Sequence, residues 1–209
     1  MNWTDEGLLL SVKPHGERAA VIQVLTENKG LHAGLVQNAF SRKMNSTLQP
    51  SNQLCLNWSS RLEENLGIFK ADLLRSRVDI FLSNKLALNV FNSISALCLS
   101  TLAERDPIPE LYKITTNFLD QIATIKKWEF FYINWELNLL ASLGYGLDLK
   151  KCVATGTTEN LFYISPKSGK AVCKEKGLKY DKKLLRFPTI LRDEEINYEF
   201  SRSDLLDGL

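Results

Sequence analysis

The hydrophobic pattern of this chain changes its period near residue 79, and that change limits the possible folds more than any other feature. Before it, short apolar runs rich in β-branched residues, such as residues 20–25, alternate with turn-forming stretches such as 14–17 and 27–30. After it, apolar residues recur every three or four positions. The first pattern is typical of strands and the second of amphipathic helices. The sequence therefore predicts an α+β protein whose strands precede its helices.

The first 78 residues are interpreted as one small barrel. Short strands with turns between them hide their edges best when the sheet closes on itself. An OB-type barrel is the first choice of architecture, and an SH3-like barrel is the alternative. A long polar loop is predicted over residues 41–52, between the third and fourth strands. The five predicted strands are residues 8–12, 20–25, 31–40, 53–58 and 68–74.

The rest of the chain is interpreted as a mainly helical domain. Apolar stripes with helical spacing run from Ala87 to Leu102, from Leu111 to Ile125 and from Trp128 to Leu143, and Gly144 is placed to end the third helix. A chain of 209 residues is long enough for two small domains. The predicted division is an OB-type barrel domain over residues 1–78 and a helical domain over residues 79–209.

The distribution of charge is uneven although the net charge is only +2. Residues 150–192, called here the basic segment, carry eleven Lys or Arg against three acids, which gives a local charge of +8. Residues 193–209, the acidic tail, carry six acids and one Arg, which gives −5. Such a contrast favours either an internal contact or separate charged partners.

The sequence favours a cytoplasmic protein. Its acidic start, MNWTDEG, lacks the basic and apolar regions of a secretory signal, and no apolar run approaches the roughly 20 residues that span a bilayer. The four widely spaced cysteines suit reduced thiols better than a disulfide framework. No membrane partner is therefore expected.

The sequence predicts no catalytic residue and no cofactor. The only two histidines, His15 and His32, stand in no metal-binding spacing and beside no obvious nucleophile. Ser168-Gly169-Lys170 resembles the end of a phosphate-binding loop, but Ile164 occupies the position where that loop needs its first glycine. A nuclease or another metal-dependent enzyme is accordingly disfavoured.

Residues 150–176 have the layout of a zinc knuckle that lacks two of its four ligands. Cys152 and Cys173 each open a turn beside a short strand, but Thr155 and Lys176 stand where the second thiolate of each turn would be required. An ammonium group at such a position would repel a cation. The segment is interpreted as free of metal, with its two cysteines packed as small buried side chains.

Several short motifs together resemble the RecO family of bacterial recombination mediators. Each motif is common alone, but their order and spacing are more specific, and they extend over most of the chain. They are Asp5-Glu6-Gly7, His15-Gly16-Glu17, the turn at 26–30, Ser41-Arg42-Lys43 followed by Leu48-Gln49-Pro50, Trp135-Glu136-Leu137, Leu143-Gly144-Tyr145, and the stretch from Cys152 and Gly156 to Ser165-Pro166-Lys167-Ser168-Gly169.

The resemblance implies an N-terminal OB domain, a helical domain, and a knuckle segment of the metal-free kind. It also implies a protein that is not an enzyme, that binds single- and double-stranded DNA and that anneals complementary strands. The implied partners are RecR, the acidic C-terminal tail of the single-strand-binding protein and, indirectly, the recombinase RecA, which such proteins help to load onto coated single strands. The alternative is an OB-fold RNA-binding protein with a helical partner-binding domain, because phosphate contacts do not distinguish the two sugars.

Cations that neutralise phosphates and aromatic rings that stack on bases are the means by which such barrels bind single strands. Phe40 is interpreted as a core residue that closes the barrel, with stacking on a base as the alternative. The basic segment is equally compatible with DNA or with an acidic peptide. The candidate DNA-binding residues are Lys13, Arg18, Lys29, Arg42 and Lys43 in the barrel, and Lys167 and Lys170 in the basic segment.

Overall fold

The computed structural model describes residues 1–125 and 127–191, so Arg192 and the acidic tail lie outside the described residues. The chain forms two compact units, residues 1–126 and residues 127–209, which are described separately below. The first unit contains a five-stranded sheet and the helices that follow it, which confirms the predicted α+β class. The domain boundary expected between residues 78 and 79 stays a prediction.

The sheet of the first unit closes into a barrel in the order β1-β2-β3-β5-β4. The first strand is the longest. Its first half pairs with β4, from Asn2 opposite Ser59 to Leu8 opposite Gln53. Its second half pairs with β2, from Gly7 opposite Thr26 to His15 opposite Ala19, with an irregularity between Leu9 and Ser11. The strands are β1 (Asn2–His15), β2 (Ala19–Thr26), β3 (Gly30–Val36), β4 (Gln53–Ser59) and β5 (Ile68–Arg75).

The barrel interior follows from the period-two alternation of these strands. Inward-facing aliphatic residues such as Leu9, Ile22 and Leu56 are fully buried. At one part of the core four rings pack together: Trp3 stacks on Trp58, and both meet His32 edge to face. The fourth ring, Phe69, fits only because residue 34 is glycine, since a Cβ there would lie 2.3 Å from the ring.

The polar stretch 41–52 is not the continuous loop that the sequence predicts. It contains a short helix, α1 (Arg42–Thr47), whose first turn is capped by the Ser41 hydroxyl, which accepts a hydrogen bond from the Met44 backbone N–H. The third strand also ends at Val36 and not at Phe40. Phe40 is 47% exposed, so the expectation that it closes the barrel is wrong.

Three helices complete the described part of the first unit: α2 (Val78–Ser83), α3 (Lys85–Thr101) and α4 (Pro109–Gln121). The α3 helix is anchored to the barrel by the buried Ser95 hydroxyl, which donates to the Leu10 carbonyl. The segment after α3 joins the edge of β3, where the Arg105 backbone N–H donates to the Leu31 carbonyl. These contacts hold the helices against the outer surface of the barrel.

A buried arginine lies between β5 and α2. The side chain of Arg77 is 1% exposed, and its guanidinium donates to the Asp120 carboxylate, the Ser51 carbonyl and the Gln53 side-chain oxygen. Arg75, which is exposed, forms an ion pair with the same carboxylate. The guanidinium thus ties the start of β4 to α4.

The second unit begins with a helix, α5 (Trp128–Ser142), and continues with a small antiparallel sheet in the order β7-β6-β8. Among its described residues, two small apolar clusters form around Tyr163 and around Phe187, and α5 buries Ile133, Trp135 and Leu139. Across residues 1–125 and 127–191, no helix is long and apolar enough to cross a membrane. The remaining elements are β6 (Leu161–Ser165), β7 (Lys170–Cys173), α6 (Lys174–Gly177) and β8 (Leu185–Arg186), with 3-10 turns at Leu178–Lys183 and Thr189–Leu191.

Candidate nucleic-acid interface

Four of the five candidate cations of the barrel lie at the end where β1 turns into β2. Lys13 is near the end of β1 and Arg18 ends the turn, and both side chains are exposed. The backbone N–H of Ala39 donates to the Arg18 carbonyl at 2.8 Å, which brings the start of α1, with exposed Arg42 and Lys43, to the same end. Lys13, Arg18, Arg42 and Lys43 are called the hairpin-end cations.

None of the hairpin-end cations forms an ion pair within the described residues. The exposed ring of Phe40 lies in the chain between Ala39 and these α1 cations. Positive side chains that are free of carboxylate partners can neutralise phosphates, and an exposed ring beside them offers a stacking surface for a base. The geometry therefore combines the two means by which single strands are bound.

The fifth candidate, Lys29, lies in a different environment. Lys29 follows β2, whereas Arg18 precedes β2. The two ends of a strand of this length are roughly 26 Å apart. The turn that carries Lys29 is fixed by the Asp5 carboxylate, which accepts hydrogen bonds from the backbone and side-chain nitrogens of Asn28. Carboxylate neighbours weaken the attraction of a cation for phosphate.

One surface feature of the barrel was missed from the sequence. A shallow groove of about 340 Å³ lies on β1, β4 and β5, where Lys70 and the cross-strand neighbour Asn57 accompany Trp3. The Asn57 side-chain oxygen accepts a hydrogen bond from the Thr4 hydroxyl at 2.7 Å. Alternation predicts that Lys70 and Asn57 point outward, but only the strand register shows that they are neighbours.

The cations of the basic segment are spread over the surface of the second unit. The ten that are described, Lys150 through Arg186, are all exposed, and Arg192 lies outside the described residues. Of the two candidates here, Lys170 forms an ion pair with Asp148 at 3.7 Å, and Lys167 lies in the turn between β6 and β7. The ammonium of Lys174 lies 5.2 Å from the centre of the Phe162 ring. Of the ten described cations, Lys170 and Lys174 therefore have these contacts within the second unit.

The second unit also contains a groove of about 760 Å³ that is lined by both apolar and polar side chains. One wall comes from α5, and the other comes from the chain before β6 and from residues that follow β8. Among the described residues that line it, Lys150 is the one with a charged side chain. The lining residues are Leu137, Asn138, Ala141, Leu147, Leu149, Lys150, Thr158, Asn160, Leu161, Phe187 and Leu191.

The two histidines occupy unrelated positions. His32 is buried in the barrel, and burial is the main reason why its pKa is lowered, with a further contribution from the charge of Arg105. His15 is exposed at the end of β1. In the described parts of the chain, no three His, Cys, Asp or Glu side chains form a group that could hold a metal ion.

The knuckle-like segment brings its two cysteines together. The Cys173 backbone N–H lies 3.2 Å from the Cys152 sulfur, and the Thr155 hydroxyl lies 3.8 Å from the Cys173 sulfur. Burial opposes ionisation of Cys152, but hydrogen bonds from Thr155 and from backbone N–H groups outweigh it and lower its pKa to about 6. Two thiols with a hydroxyl do not make the closed four-ligand site that structural zinc needs, so the residues do not fit that metal.

Comparison with known proteins adds an independent observation. Residues 1–77 match the family model described as "Recombination protein O N terminal", and residues 86–208 match the model described as "Recombination protein O C terminal". The chain is similar to the DNA repair protein RecO of Ruegeria sp. (strain TM1040), with 48% identity over 93% of this chain and 80% of the relative. It is also similar to proteins of that name from Roseobacter denitrificans, with 42% identity over 92% of this chain and 80% of the relative, and from Rhodopseudomonas palustris (strain ATCC BAA-98 / CGA009), with 39% identity over 100% and 84%.

Proposed function

The chain belongs to the RecO family of DNA repair proteins, and from this premise we propose that it acts by binding DNA and not by catalysing a reaction on it. In this proposal it anneals complementary strands and helps to load a RecA-type recombinase onto single strands coated by single-strand-binding protein. A RecR-like protein is its proposed partner. The role in DNA repair follows from the family, and the individual activities are the proposal.

We propose that the barrel is of the OB type and provides the single-strand surface. Its support is the closed order β1-β2-β3-β5-β4, with a long first strand that pairs on both sides. A five-stranded Greek-key barrel of this kind is a frequent oligonucleotide binder. The SH3-like alternative is less consistent with the parallel contact between Leu35 of β3 and Ile68 of β5.

The observation that carries the DNA-binding proposal is the group of hairpin-end cations. They come from two separate stretches of sequence, they are all exposed, and they have no carboxylate partner among the described residues. Each phosphate that such a cation neutralises releases a counterion, so binding should weaken steeply as salt is raised. Because α1, the helix that carries Arg42 and Lys43, has only six residues, we expect little dependence on base sequence.

The double variant Arg42→Ala with Lys43→Ala tests this assignment. Its binding to a fluorescent oligothymidylate is measured by anisotropy at several salt concentrations and compared with the wild type. Loss of two phosphate contacts should reduce the slope of log affinity against log salt by about 1.4, because each contact to a single strand contributes about 0.7. The annealing of complementary strands coated by single-strand-binding protein should slow in parallel. The fold should persist, since both side chains are exposed.

The matched control removes two cations from the other end of β2, in the double variant Lys29→Ala with Lys113→Ala. Lys113 already pairs with Glu27 at 3.3 Å, and Lys29 lies in the turn that follows Glu27. This control should keep the wild-type salt slope. Equal losses in the two double variants would refute the assignment to the hairpin-end cations. A competing oligouridylate that displaces DNA at equal concentration would favour the RNA-binding alternative.

We further propose that the groove of the second unit lined by α5 and Lys150 receives the acidic C-terminal tail of the single-strand-binding protein. A peptide of this kind needs an apolar surface for its hydrophobic residues and a cation for its carboxylates. The groove supplies apolar side chains such as Leu149 and Phe187, with Lys150 among them. Its size is within the range of small-ligand sites.

Two adjacent lysines allow a sharp test of this groove. Lys150 lines it and Lys151 does not, although both side chains are exposed. Lys150→Glu should abolish binding of a fluorescent peptide that carries the tail sequence, whereas Lys151→Glu should reduce it only through general charge. Equal effects of the two variants would exclude the groove as the peptide site. The double variant Arg42→Ala with Lys43→Ala should bind the peptide as tightly as the wild type does.

A further inference from the structure

The two cysteines of the knuckle-like segment are held against each other by the backbone around them. The Val153 N–H donates to the Ala171 carbonyl at 2.9 Å, which fixes the turn after Cys152 beside β7. The Cys173 N–H reaches the Cys152 sulfur at 3.2 Å, and the Cys152 N–H donates to the Thr157 carbonyl at 2.8 Å. Both thiols are reduced and both belong to one apolar cluster with Tyr163 and Val172.

This pairing has no use in binding zinc, because Thr155 and Lys176 stand at the other two positions of the segment. Two neighbouring thiols without a metal can form a disulfide. An oxidant converts one thiolate to a sulfenic acid, and a second thiol within reach condenses with that sulfenic acid. We propose that Cys152 and Cys173 form a redox pair that hydrogen peroxide converts to an intramolecular disulfide and that a dithiol reductant restores.

The Cys152 thiolate attacks one peroxide oxygen, the O–O bond breaks, and the hydroxide that leaves takes up a proton to become water. The resulting sulfenic acid is attacked by the Cys173 sulfur, which forms the S–S bond and releases a second water. Two thiols are thereby oxidised by two electrons and one peroxide is reduced to two waters.

The surroundings of Cys152 suit the attacking role. Its thiol has a lowered pKa, caused by the hydrogen bonds that outweigh burial, and a thiolate is the nucleophilic form of cysteine. A pocket of about 460 Å³ lies beside the pair and is lined by Val153, Ala154 and Val172, the chain neighbours of the two cysteines.

The other two cysteines serve as internal controls. Cys98 is also buried, but burial raises its pKa to about 12, and it lies in α3 of the first unit. Cys55 is half-buried on β4 and has no thiol partner on that strand. Peroxide should therefore leave Cys98 unmodified. It should oxidise Cys55 only to a sulfenic, sulfinic or sulfonic acid and not to a disulfide.

The experiment treats the full chain with increasing hydrogen peroxide, unfolds it in N-ethylmaleimide and maps the peptides by mass spectrometry. Labelling of Cys152 and Cys173 should be lost together, with the appearance of one cross-linked peptide that is lighter by two hydrogen atoms than the sum of its parts. Dithiothreitol should restore both labels. The oxidised chain should also melt several degrees higher than the reduced chain, since the cross-link restricts the unfolded state.

The variant Cys173→Ser removes the resolving thiol, so Cys152 should then stop at a sulfenic acid that dimedone traps. Retention of both labels at peroxide concentrations that oxidise Cys55 would overturn the proposal. Independent oxidation of the two cysteines to sulfinic acids, or a disulfide between any other pair, would overturn it as well. The wild-type mapping needs no variant, so a misfolded Cys173→Ser chain leaves the proposal fully testable.

Discussion

The two compact units bury different kinds of groups. Every buried polar or charged residue among the described residues lies in the first unit, from Asp5 and His32 to Arg77 and Thr116. The second unit buries apolar residues and two cysteines. Most of these groups in the first unit have hydrogen-bond partners, as Arg77 has in Asp120 and Gln53, whereas the described interior of the second unit is mainly apolar. A buried donor or acceptor that loses its partner costs more than a lost surface contact, so the first unit should be less tolerant of single changes.

The largest contrast that we expect is in the acidity of the buried thiols. Burial raises the pKa of Cys98 to about 12. Although burial acts in the same direction on Cys152, hydrogen bonds from Thr155 and from backbone N–H groups lower its pKa to about 6. Thiolate absorbance is measured over a range of pH in the wild type, in Cys98→Ser and in Cys152→Ser. The difference between the wild type and each variant gives the titration of the missing thiol. The two transitions should lie on opposite sides of the ordinary pKa of a thiol.

The same shifts predict opposite effects of pH on stability. The contribution of Cys98 is fully present below pH 9 and is lost as pH rises towards 12, because its folded-state pKa is raised. The contribution of Cys152 is present above pH 9 and is lost as pH falls through 6, because its folded-state pKa is lowered. Denaturation by urea at several pH values, with each Ser variant as reference, measures both. Coincident transitions near pH 9 would remove this contrast between the units.

The next effect concerns the buried guanidinium of the first unit. Arg77→Met removes three hydrogen-bond donors and leaves the Asp120 carboxylate without its buried partner, so we expect a loss of about 3–5 kcal/mol in the free energy of unfolding. Arg75→Met removes the exposed cation from the same carboxylate and should cost about 1 kcal/mol or less. Urea denaturation of both variants checks the difference. Similar losses would mean that burial of the arginine is not what matters.

A matched pair of glycines compares the packing of the two units. A Cβ at residue 34 would lie 2.3 Å from the Phe69 ring, and a Cβ at residue 177 would lie 2.1 Å from the Tyr163 ring. Phe69 is enclosed by Trp3 and His32 inside a closed barrel, so Gly34→Ala should cost about 1–3 kcal/mol. Gly177→Ala should cost less, because the small cluster around Tyr163 can shift. Thermal melts of the two variants rank them, and the reverse order would show that the second unit is the more rigid.

The smallest effects are expected from the surface ion pairs, one in each unit. Lys113 lies 3.3 Å from Glu27, and Lys170 lies 3.7 Å from Asp148, with about half of each lysine exposed. Lys113→Ala and Lys170→Ala should each change the free energy of unfolding by about 0.5 kcal/mol. Chemical denaturation resolves whether the two values agree. A clearly larger loss for one of them would extend the contrast between the units to their surfaces.

Some strands and long helices of the first unit could be predicted because their patterns are local, but β1 was predicted only over residues 8–12 and extends over Asn2–His15. The alternation of residues 20–25 and 53–58 gives β2 and β4 to within about one residue at each end, and the stripe from Ala87 gives α3. The helices α1 and α2 were missed, because six residues are too few for a helical period to emerge. Short elements of this kind depend on caps and on contacts with distant residues.

The sequence predicts which cations could form the candidate site, but it does not predict which of them lie together in the fold. The turn at Gly16 already implies that Lys13 and Arg18 are neighbours on one hairpin. That Arg42 and Lys43 join them depends on the hydrogen bond from Ala39 to Arg18, a contact between residues far apart in the sequence. The same is true of Arg77, whose partners come from residues 51, 53 and 120.

The length of β1 has a consequence for synthesis on the ribosome. As the chain emerges, the second half of this strand can form a hairpin with β2 at once, but its first half has no partner until Gln53–Ser59 has been made. Contacts between residues so distant in sequence form slowly, and an unpaired strand edge is prone to association with other chains. Nascent chains stalled before residue 53 should therefore aggregate through Asn2–Leu8, and those stalled after β5 has emerged should not.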